Sequence, residues 1–451
     1  MIKAKMIFKI LIPAVCFAAF FVQPANAKKI NAKHRWKIAT LAPDGVGWAK
    51  HIKGIVLPGV KKATDGNLAI KVYWGGVMGD DEDFIRKMRV GQIQGAGLTG
   101  QGATLLCPEM SVVELPFLFN NYKEVDYIKK KMTATFDGLM RERNVFLLAW
   151  VDQDFDQLYS TRGPLKNLQQ ISRATFFTWN GPLEEAMLKA LGAKQIPVEV
   201  PKAAAMMREG AADAAIAPAL WMVGTQLYTM LKFVNPTKIR YTPSLIVVET
   251  RDWDALPEQY QEKILTIRGA LRDKFCKEVR ADNIKSLKAM INYGVKETAF
   301  SEKDLAAAKK ATRHLWNSMA DKLYPRELLD EVMAYLAEFR GESTDLTRKT
   351  WSAKTDSSRP AVAGTIKKKP GIAAPKIQQP EKSKFRAMSR AQKKEMVKKV
   401  QTILKKDGFY TMRVDGIPGP RTFWGIKRYQ KNRGLAVTGR IDNELIKAMG
   451  L

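Results

Sequence analysis

Residues able to carry out chemistry are few in this 451-residue chain. Its three histidines, His34, His51 and His314, show neither the His-x-His nor the His-x-x-x-Asp spacing of a metal site. No cysteine lies close in sequence to a histidine that would activate it as a nucleophile. The acidic run from Asp80 to Asp83 is the one feature that imitates the carboxylate cluster of a metal centre or a glycosidase.

The acidic run stands where a helix is predicted to begin. This helix starts at Phe84 and carries Arg86, Lys87 and Arg89 near its end, before Gly91, a residue typical of a helix stop. Acids at the start and bases at the end both oppose the helix macrodipole. We therefore interpret the run as capping acids, and we expect a binding protein with no enzymatic activity, no metal and no cofactor.

Candidate binding residues lie in a unit predicted between Leu168 and Ala219. A strand, a turn, a helix closed by a glycine, a second strand, a short helix and a third strand follow one another, which gives the order β-α-β-α-β. The segments are Thr175 to Trp179, Asn180-Gly181, Pro182 to Gly192, Ile196 to Val200, Lys202 to Glu209 and Asp213 to Ala217.

In an open parallel sheet, ligands lie beyond the carboxyl ends of the strands. This rule places several aromatic and turn residues at the wall of a cleft, namely Phe177, Trp179, Asn180, Gly181 and the segment from Ala217 to Trp221. The alternative is that Phe177 and Trp179 are buried strand aromatics. The same two interpretations, pocket or core, stay open for Trp48, Trp74 and Trp150.

A long helix is predicted between Leu256 and Val295. Apolar residues repeat every three or four positions there, and no proline follows Pro257. The pattern therefore predicts a single helix of up to about 35 residues.

The N-terminus has the pattern of a secretory signal peptide. Basic residues precede an apolar run from Ile10 to Val22, and Ala25-Asn26-Ala27 is a small-x-small cleavage site. The competing interpretation, a retained anchor, needs roughly 20 apolar residues, and this run is shorter and contains Pro13. We expect a protein soluble in the periplasm, in which Cys107 and Cys276 form either one disulfide or two buried thiols.

Charge and composition divide the remaining chain into three parts. The net charge of +30 and the pI of 9.9 suggest anionic surroundings, and the export signal argues against nucleic acid as the partner. Residues 28–340 alternate short strands with helical patterns, residues 341–388 are rich in Lys, Pro and Ser and predict a disordered linker, and residues 389–451 return to helical periodicity. Residues 341–451 hold about +17 of the net charge.

Several segments between Trp36 and Gly341 are informative when taken together and in order, namely Ile38 to Trp48, Trp74 to Gly102, Glu114 to Phe119 and Gly210 to Ala214. In these segments the chain resembles the extracytoplasmic solute-binding proteins of TRAP (tripartite ATP-independent periplasmic) transporters, the DctP-like family. This resemblance implies two α/β lobes that close over a small organic ligand, a long helix that crosses both lobes and braces their hinge, and TRAP membrane permease subunits as partners.

The chain departs from this family at the residues that hold the ligand. Phe177 stands where the family has an arginine for the ligand carboxylate, Gln157 falls near a second arginine, and Ala217 falls near a ligand-contacting asparagine. Without the arginine, a buried ligand carboxylate is costly to desolvate. An aromatic wall of Phe177 and Trp179 favours a ligand of apolar, planar or cationic character, unless Arg162, Arg173 or Lys202 supplies a displaced charge.

The last 63 residues resemble the type 1 peptidoglycan-binding domain. Its pattern Asp-Gly-x-x-Gly-Pro-x-Thr, followed by Tyr-Gln and Gly-Leu-x-Val-x-Gly, lies in the segments Val414 to Thr422, Ile426 to Gln430 and Gly434 to Asp442. The resemblance implies peptidoglycan as a partner, with contacts near Tyr410, Asp415 and Trp424.

Together these features predict a two-lobed periplasmic-binding-protein fold of the α/β class with a long bracing helix, plus a small three-helix domain. The predicted boundaries are 1–27 for the signal peptide, 28–340 for the solute-binding domain, 341–388 for the linker and 389–451 for the peptidoglycan-binding domain. The expected function is periplasmic ligand capture for a TRAP transport system by a protein held at the cell wall. The alternative is a wall-bound scaffold or ligand sensor without a transport role.

Overall fold

A computed structural model of the protein describes residues 32–179, 181–342, 385, 388–410, 413–416 and 420–451. The predicted signal peptide, most of the predicted linker and Asn180 lie outside these residues. None of the helices in the described ranges is both long enough and apolar enough to cross a membrane.

One mixed sheet runs through the solute-binding region. Its order is β2-β1-β3-β8-β4-β7-β5-β6, and the short β9 pairs with β8. The strands are β1 (His34–Thr40), β2 (Leu68–Tyr73), β3 (Gly95–Leu98), β4 (Val145–Ser160), β5 (Thr175–Thr178), β6 (Lys194–Pro197), β7 (Ala214–Ala217), β8 (Phe233–Glu249) and β9 (Lys296–Glu297).

Helices cover the sheet on both faces and make up the C-terminal region. They are α1 (Gly47–His51), α2 (Leu57–Ala63), α3 (Asp81–Arg89), α4 (Gly100–Leu106), α5 (Tyr122–Arg141), α6 (Leu168–Arg173), α7 (Pro182–Ala190), α8 (Ala203–Arg208), α9 (Ala219–Gly224), α10 (Thr250–Asp254), α11 (Glu258–Tyr293), α12 (Glu302–Arg313), α13 (Leu315–Ser318), α14 (Arg326–Arg340), α15 (Arg390–Lys406), α16 (Pro420–Asn432) and α17 (Asn443–Ala448).

The sheet forms two lobes that share two long strands. β1 pairs in parallel with β2 and β3 in the first lobe, and β5 pairs in parallel with β6 and β7 in the second. β4 and β8 run antiparallel through both lobes, from the pair Val145 and Glu249 to the pair Ser160 and Phe233. The predicted two-lobed α/β architecture is confirmed.

Side-chain alternation along the strands gives the second lobe a core on each face. Leu158 and Phe176 pack with Met187 under α7, whereas Tyr159 and Phe177 point to the opposite face and pack under α8 and α9. Because adjacent strand residues point to opposite faces, β5 is apolar on both sides, as a strand inside a parallel sheet must be.

The long helix α11 braces the two lobes. It spans 36 residues without interruption and ends at Gly294, which has a φ of +116°. Ile264 packs in the first lobe, Phe275 packs near the middle of β4 and Met290 packs in the second lobe. The single long helix predicted from the sequence is therefore present, and it crosses from one lobe to the other.

Local sequence signals also predicted other elements, whose observed bounds differ slightly from the predicted ones. α3 begins with a capping box in which Asp80 and Asp83 exchange hydrogen bonds, as the interpretation of capping acids requires. The second strand of the predicted β-α-β-α-β unit was expected to reach Val200, but β6 ends at Pro197 and a 3₁₀ turn follows over Val200–Lys202. Directly after β6 the amide of Val198 still donates to the carbonyl of Thr178 over 2.9 Å.

Cys107 and Cys276 are both buried and unpaired. Of the two arrangements left open by the sequence, the structure therefore has two buried thiols.

The C-terminal module, which we define as residues 388–451, is a small helical unit. α15 begins with a second capping box, formed by Ser389 and Gln392. The core shared by α15, α16 and α17 consists of Val397, Val400, Leu404, Tyr410, Ile426, Tyr429, Ile441, Leu445, Ile446 and Met449.

Candidate ligand-binding cleft

The shared strands β4 and β8 are irregular at the middle of the molecule. Their register shifts between Leu147 and Ala149, between Asp152 and Asp154, and between Asp156 and Leu158. Asp154 has a φ of +126°, which is rare for a residue with a side chain. Interrupted pairing lets strands bend, so this is where one lobe can rotate against the other.

The two lobes approach each other closely at three glycines. A Cβ placed on Gly47 of the first lobe would lie 3.2 Å from Leu220 of the second lobe. A Cβ on Gly181 would lie 4.0 Å from the Thr104 hydroxyl, and a Cβ on Gly224 would lie 3.9 Å from Pro43. The lobes are therefore in contact along one edge of the cleft, and glycine permits the nearest approach.

An aromatic cluster lies on the second-lobe side, where β5 and β7 end. The rings of Trp179 and Trp221 are 4.6 Å apart at an angle of 33°, and the rings of Phe177 and Trp221 are 6.3 Å apart. Phe177 and Trp179 are buried, whereas Trp221 is half-buried. The structure thus brings together three of the residues predicted for the cleft wall, and Phe177 and Trp179 both belong to the second-lobe core at the same time.

Two buried donors near the lobe contact have no protein acceptor in the part of the chain that the structure describes. One is the indole N–H of Trp179, and the other is the amide Nε2 of Gln153 on β4. The Gln153 Oε1 accepts a hydrogen bond of 2.9 Å from the amide of Gly100, which begins α4. A buried donor without a protein partner usually hydrogen-bonds to a water or to a ligand.

A buried ionic cluster lies directly behind Trp179. Arg240 of β8 donates from Nε to Asp156 over 2.7 Å and from Nη2 to Glu184 over 2.6 Å. The other oxygen of Glu184 accepts the backbone amide of Trp179 over 3.1 Å. Glu114 Oε2 lies 3.8 Å from Nη1 of Arg240, and all four charged side chains have 1% exposure or less.

The acids outnumber the guanidinium in this cluster. Burial raises the pKa of Glu114 to about 8, despite the opposing effect of Arg240. Burial also raises the pKa of Asp156. Burial by itself would lower the pKa of Arg240, but Asp156 and Glu184 outweigh it and raise that pKa. Arg240 therefore already pairs with Asp156 and Glu184, whereas its buried Nη1 has no hydrogen-bond partner in the described part of the chain.

A second buried cluster ties β4 to the helices of the first lobe. Asp152 accepts hydrogen bonds from Lys129 of α5, from Tyr241 over 2.7 Å and from Arg280 of α11 over 2.7 Å. Burial would raise the pKa of Asp152, but Lys129 and Arg280 lower it to about 2. These contacts fix the middle of β4 against α5 and the bracing helix.

The other tryptophans predicted as candidates lie in the first lobe or against the bracing helix. Trp48 is half-buried and meets the edge of Phe275 at 6.2 Å. Lys53 lies 5.2 Å above the half-buried ring of Trp74. Trp150 is 1% exposed in the first-lobe core and donates to Tyr241 over 3.3 Å.

Gln157 and Ala217, which the resemblance places near two family anchors, are direct partners in the pairing of β4 with β7. The Gln157 Oε1 accepts a hydrogen bond of 2.6 Å from Tyr159. Of the three residues considered as sources of displaced charge, Arg162 and Lys202 pair with Asp213 and Glu199 on the surface, and Arg173 is exposed.

In the C-terminal module, one buried glutamine organises the predicted contact region. The Gln401 Oε1 accepts the amides of Asp415 and Gly416 over 3.0 and 2.9 Å, and its Nε2 donates to Tyr410 and Thr422 over 3.2 and 3.0 Å. Tyr410 is buried, whereas Asp415 is exposed. The side chain of Trp424 lies outside the described residues.

Comparison with known families agrees with this geometry. The family described as bacterial extracellular solute-binding protein, family 7 (DctP) matches residues 58–323. The chain belongs to this family. A peptidoglycan binding domain matches residues 393–449, within the C-terminal module.

Two relatives of this family 7 protein match most of their own length. The chain is 22% identical over 241 residues to the 2,3-diketo-L-gulonate-binding periplasmic protein YiaO of Escherichia coli, covering 52% of this chain and 72% of that protein. It is 24% identical over 255 residues to a solute-binding protein of Chromohalobacter salexigens, covering 55% and 75%.

Solved structures share the fold of this family 7 protein. The sugar acid binding protein of Advenella mimigardefordensis in complex with galactonate has a TM-score of 0.64 at 19% identity, over 68% of this chain and 99% of that one. A TRAP periplasmic solute binding protein of Ralstonia eutropha with bound (S)-2-acetolactate has a TM-score of 0.63 at 22% identity, over 67% and 99%.

Several residues of this family 7 protein that the geometry singles out are absent from the sequence-based prediction. They are Gln153, Glu184, Arg240 and Gln401. The run Asp152-Gln153-Asp154-Phe155-Asp156 offered one signal, because three alternating acids inside a buried strand require buried partners. Nothing in the sequence near Arg240 identifies those acids as its partners.

Proposed function

We propose that this protein captures a small organic ligand between its two lobes in the periplasm and delivers it to a TRAP-type membrane permease. The two lobes are joined by β4 and β8, and they contact each other at Gly47 and Leu220. This arrangement supports ligand capture by closure of the lobes. The proteins that the chain is similar to are solute-binding proteins, and we propose no catalytic step.

The observation that carries this proposal is the indole N–H of Trp179. It is buried, has no acceptor in the described part of the chain, and belongs to a ring that lies against Trp221. An unsatisfied buried donor costs about 1–3 kcal/mol, and a ligand oxygen would remove that cost. The Nε2 of Gln153 would be a second donor to the same ligand.

These groups define a ligand class. The Trp179 and Trp221 rings favour an apolar, planar or cationic face, and the two donors require acceptor oxygens on the same molecule. Arg240 already pairs with Asp156 and Glu184, and the resemblance places Phe177 at the position of the family arginine, so a simple dicarboxylate is disfavoured. The similar structures contain galactonate and L-gulonate, which makes sugar acids the reference compounds for any screen.

Ligand-induced thermal shifts and calorimetry of the purified protein test the proposal. The panel contains galactonate, gulonate, succinate, an aromatic carboxylate and a quaternary ammonium carboxylate. For the compound that binds, Trp179→Phe keeps a ring but removes the donor, and we expect about tenfold weaker binding, equivalent to about 1.4 kcal/mol.

Trp253→Phe is the matched control. Trp253 stacks on Phe146 at 4.0 Å in the first-lobe core, so its substitution should lower the melting temperature without changing the ligand-induced shift. Unchanged affinity in Trp179→Phe would remove Trp179 from the site.

We also propose that the C-terminal module anchors the protein to peptidoglycan. The match of residues 393–449 and the charge of about +17 in residues 341–451 support this role, because peptidoglycan stems carry free carboxylates. The test of this anchoring is sedimentation with purified murein sacculi, which compares the full chain with a chain ending at residue 342. Equal sedimentation of the two proteins would refute the anchoring role.

A scaffold or sensor without transport is the second candidate. The placement of Phe177 at the position of the family arginine favours it, since the charge that holds an acid ligand in the family is then missing there. Native mass spectrometry of gently purified protein separates the two candidates. A bound small molecule supports uptake or sensing, whereas an empty protein that still binds sacculi supports the scaffold.

A further inference from the structure

An aromatic side chain of the C-terminal module is buried in the solute-binding region. Phe423 of α16 is 1% exposed and belongs to the same apolar core as Phe136 of α5 and Leu328 of α14. Gly138 of α5 lies directly beneath its ring, because a Cβ built at Gly138 would be 2.8 Å from Phe423 Cε2. Because position 138 has no side chain, the Phe423 ring lies directly against α5, and we call this contact the apolar seat.

Ion pairs surround this seat. Lys427, one helical turn after Phe423, contacts Glu331 of α14 over 3.1 Å and Thr135 of α5 over 3.2 Å. Arg440 contacts Asp137 of α5 over 2.9 Å, and the side chain of Asp137 is only 8% exposed. A more exposed pair joins Arg428 to Glu327 over 3.2 Å. In each pair the base comes from the C-terminal module and the acid from the solute-binding region.

We propose that α5 and α14 form a docking surface for the chain's own C-terminal module. Phe423 supplies the apolar centre and the bases of α16 supply a charged rim, an arrangement typical of specific interfaces. Because both partners belong to one chain, docking avoids most of the entropic cost of bringing two molecules together. The wall-binding domain and the solute-binding region then form one body, in place of two bodies joined only by a tether.

The docking surface leaves both functions accessible. α5 and α14 belong to the first lobe, so docking does not link the first lobe to the second across the cleft. Asp415 stays exposed in the docked arrangement. Docking of the module is therefore compatible both with wall contact near Asp415 and with closure of the lobes over a ligand.

Gly138→Leu tests the apolar seat. The three heavy atoms nearest to a Cβ at position 138, beyond its own helix and neighbours, all belong to Phe423, so a leucine there collides first with that ring. Leucine also has a much higher helix propensity than glycine, so α5 itself should not be weakened. We expect small-angle X-ray scattering of the full chain to show a larger radius of gyration, and hydrogen exchange to show lost protection on the docked faces of α5 and α16.

A charge exchange tests the rim. Lys427→Glu should undock the module, and adding Glu331→Lys should restore the compact radius and the protection. Ligand-induced thermal shifts and sedimentation with sacculi serve as separate readouts, so failure of docking is distinguishable from failure of the proposed function. Unchanged scattering and exchange in both Gly138→Leu and Lys427→Glu would overturn the proposal, and so would a Lys427→Glu defect that Glu331→Lys does not reverse.

Discussion

Arg240 donates a hydrogen bond of 2.6 Å to Glu184, and neither side chain has any exposure to solvent. This pair joins the long strand β8 to the first turn of α7. The second oxygen of Glu184 accepts the amide of Trp179, so one carboxylate couples the strand shared by both lobes to the aromatic wall of the cleft. The position of Trp179 therefore depends on a fully buried ion pair.

Replacement of Glu184 by alanine should destabilise the protein and weaken ligand binding together. The change removes one of the carboxylates that neutralise Arg240, and it removes the acceptor of the Trp179 amide. Because both groups are buried, the free energy of unfolding should fall by about 2–4 kcal/mol. Chemical denaturation measures the free energy of unfolding, and calorimetry measures the affinity.

Glu185→Ala is the control for this change, because Glu185 lies on the same turn of α7 and is exposed. It should change the free energy of unfolding by less than about 0.5 kcal/mol. Equal stability of the two variants would show that the buried pair contributes nothing.

Sequence reasoning worked where the signals are local. The acids at the start of α3 and the apolar repeat along α11 both act within a few residues, and the structure contains those elements. The resemblance to a known family supplied the two lobes, which periodicity by itself does not distinguish from other layered α/β arrangements.

The charged interior could not be predicted in the same way. Asp156 and Arg240 are 84 residues apart in sequence, and Lys129 and Asp152 meet only because α5 folds back on β4. A buried charge is tolerated only next to its partner, and no short-range pattern reports a partner so distant. The same holds for Gln153, whose contact with Gly100 depends on how α4 packs over β4.

The stability of the protein should fall as the pH rises from 5 to 7. Burial raises the pKa of Asp154 from an ordinary value near 3.8 to about 7. In this range the folded state keeps a proton that the unfolded state has released, so unfolding releases a proton and becomes easier as the pH rises. The free energy of unfolding should fall by up to about 1.4 kcal/mol per pH unit from this group.

Asp154→Asn isolates that contribution. The amide cannot ionise and can still meet the hydroxyl of Tyr122, which lies 2.6 Å from Asp154 Oδ1. Urea denaturation at pH 5, 6 and 7 should give a shallower decline than in the wild type. Asp65→Asn makes the same chemical change at another aspartate with a positive φ, but at the surface. An identical decline in wild type and Asp154→Asn would contradict the assignment.

Lobe closure should depend on the absence of a side chain at Gly47. A leucine there would press on Leu220 across the cleft edge, since even a Cβ would lie 3.2 Å from it. Gly47→Leu should therefore hold the lobes apart and weaken ligand binding by about tenfold or more, since shape mismatch of this kind costs at least about 1–3 kcal/mol. Gly45→Leu is the control: it also places a leucine at a positive φ, but a Cβ at position 45 would have no atom within 4 Å, so this variant should retain its affinity for the ligand.

Gln401 should determine whether the C-terminal module folds. Its side chain is completely buried and holds the amides of Asp415 and Gly416 in place, so Gln401→Leu leaves both donors without their acceptor. Each lost partner costs about 1–3 kcal/mol, which is most of what a helical unit this small can supply. We expect Gln401→Leu to remove hydrogen-exchange protection from α15 and α16 and to abolish sedimentation with sacculi, while ligand-induced shifts of the solute-binding region persist. The control is Thr402→Ala, at the next residue, which is exposed; it should preserve both the hydrogen-exchange protection and the sedimentation with sacculi. Full protection in Gln401→Leu would show that the module folds without this glutamine.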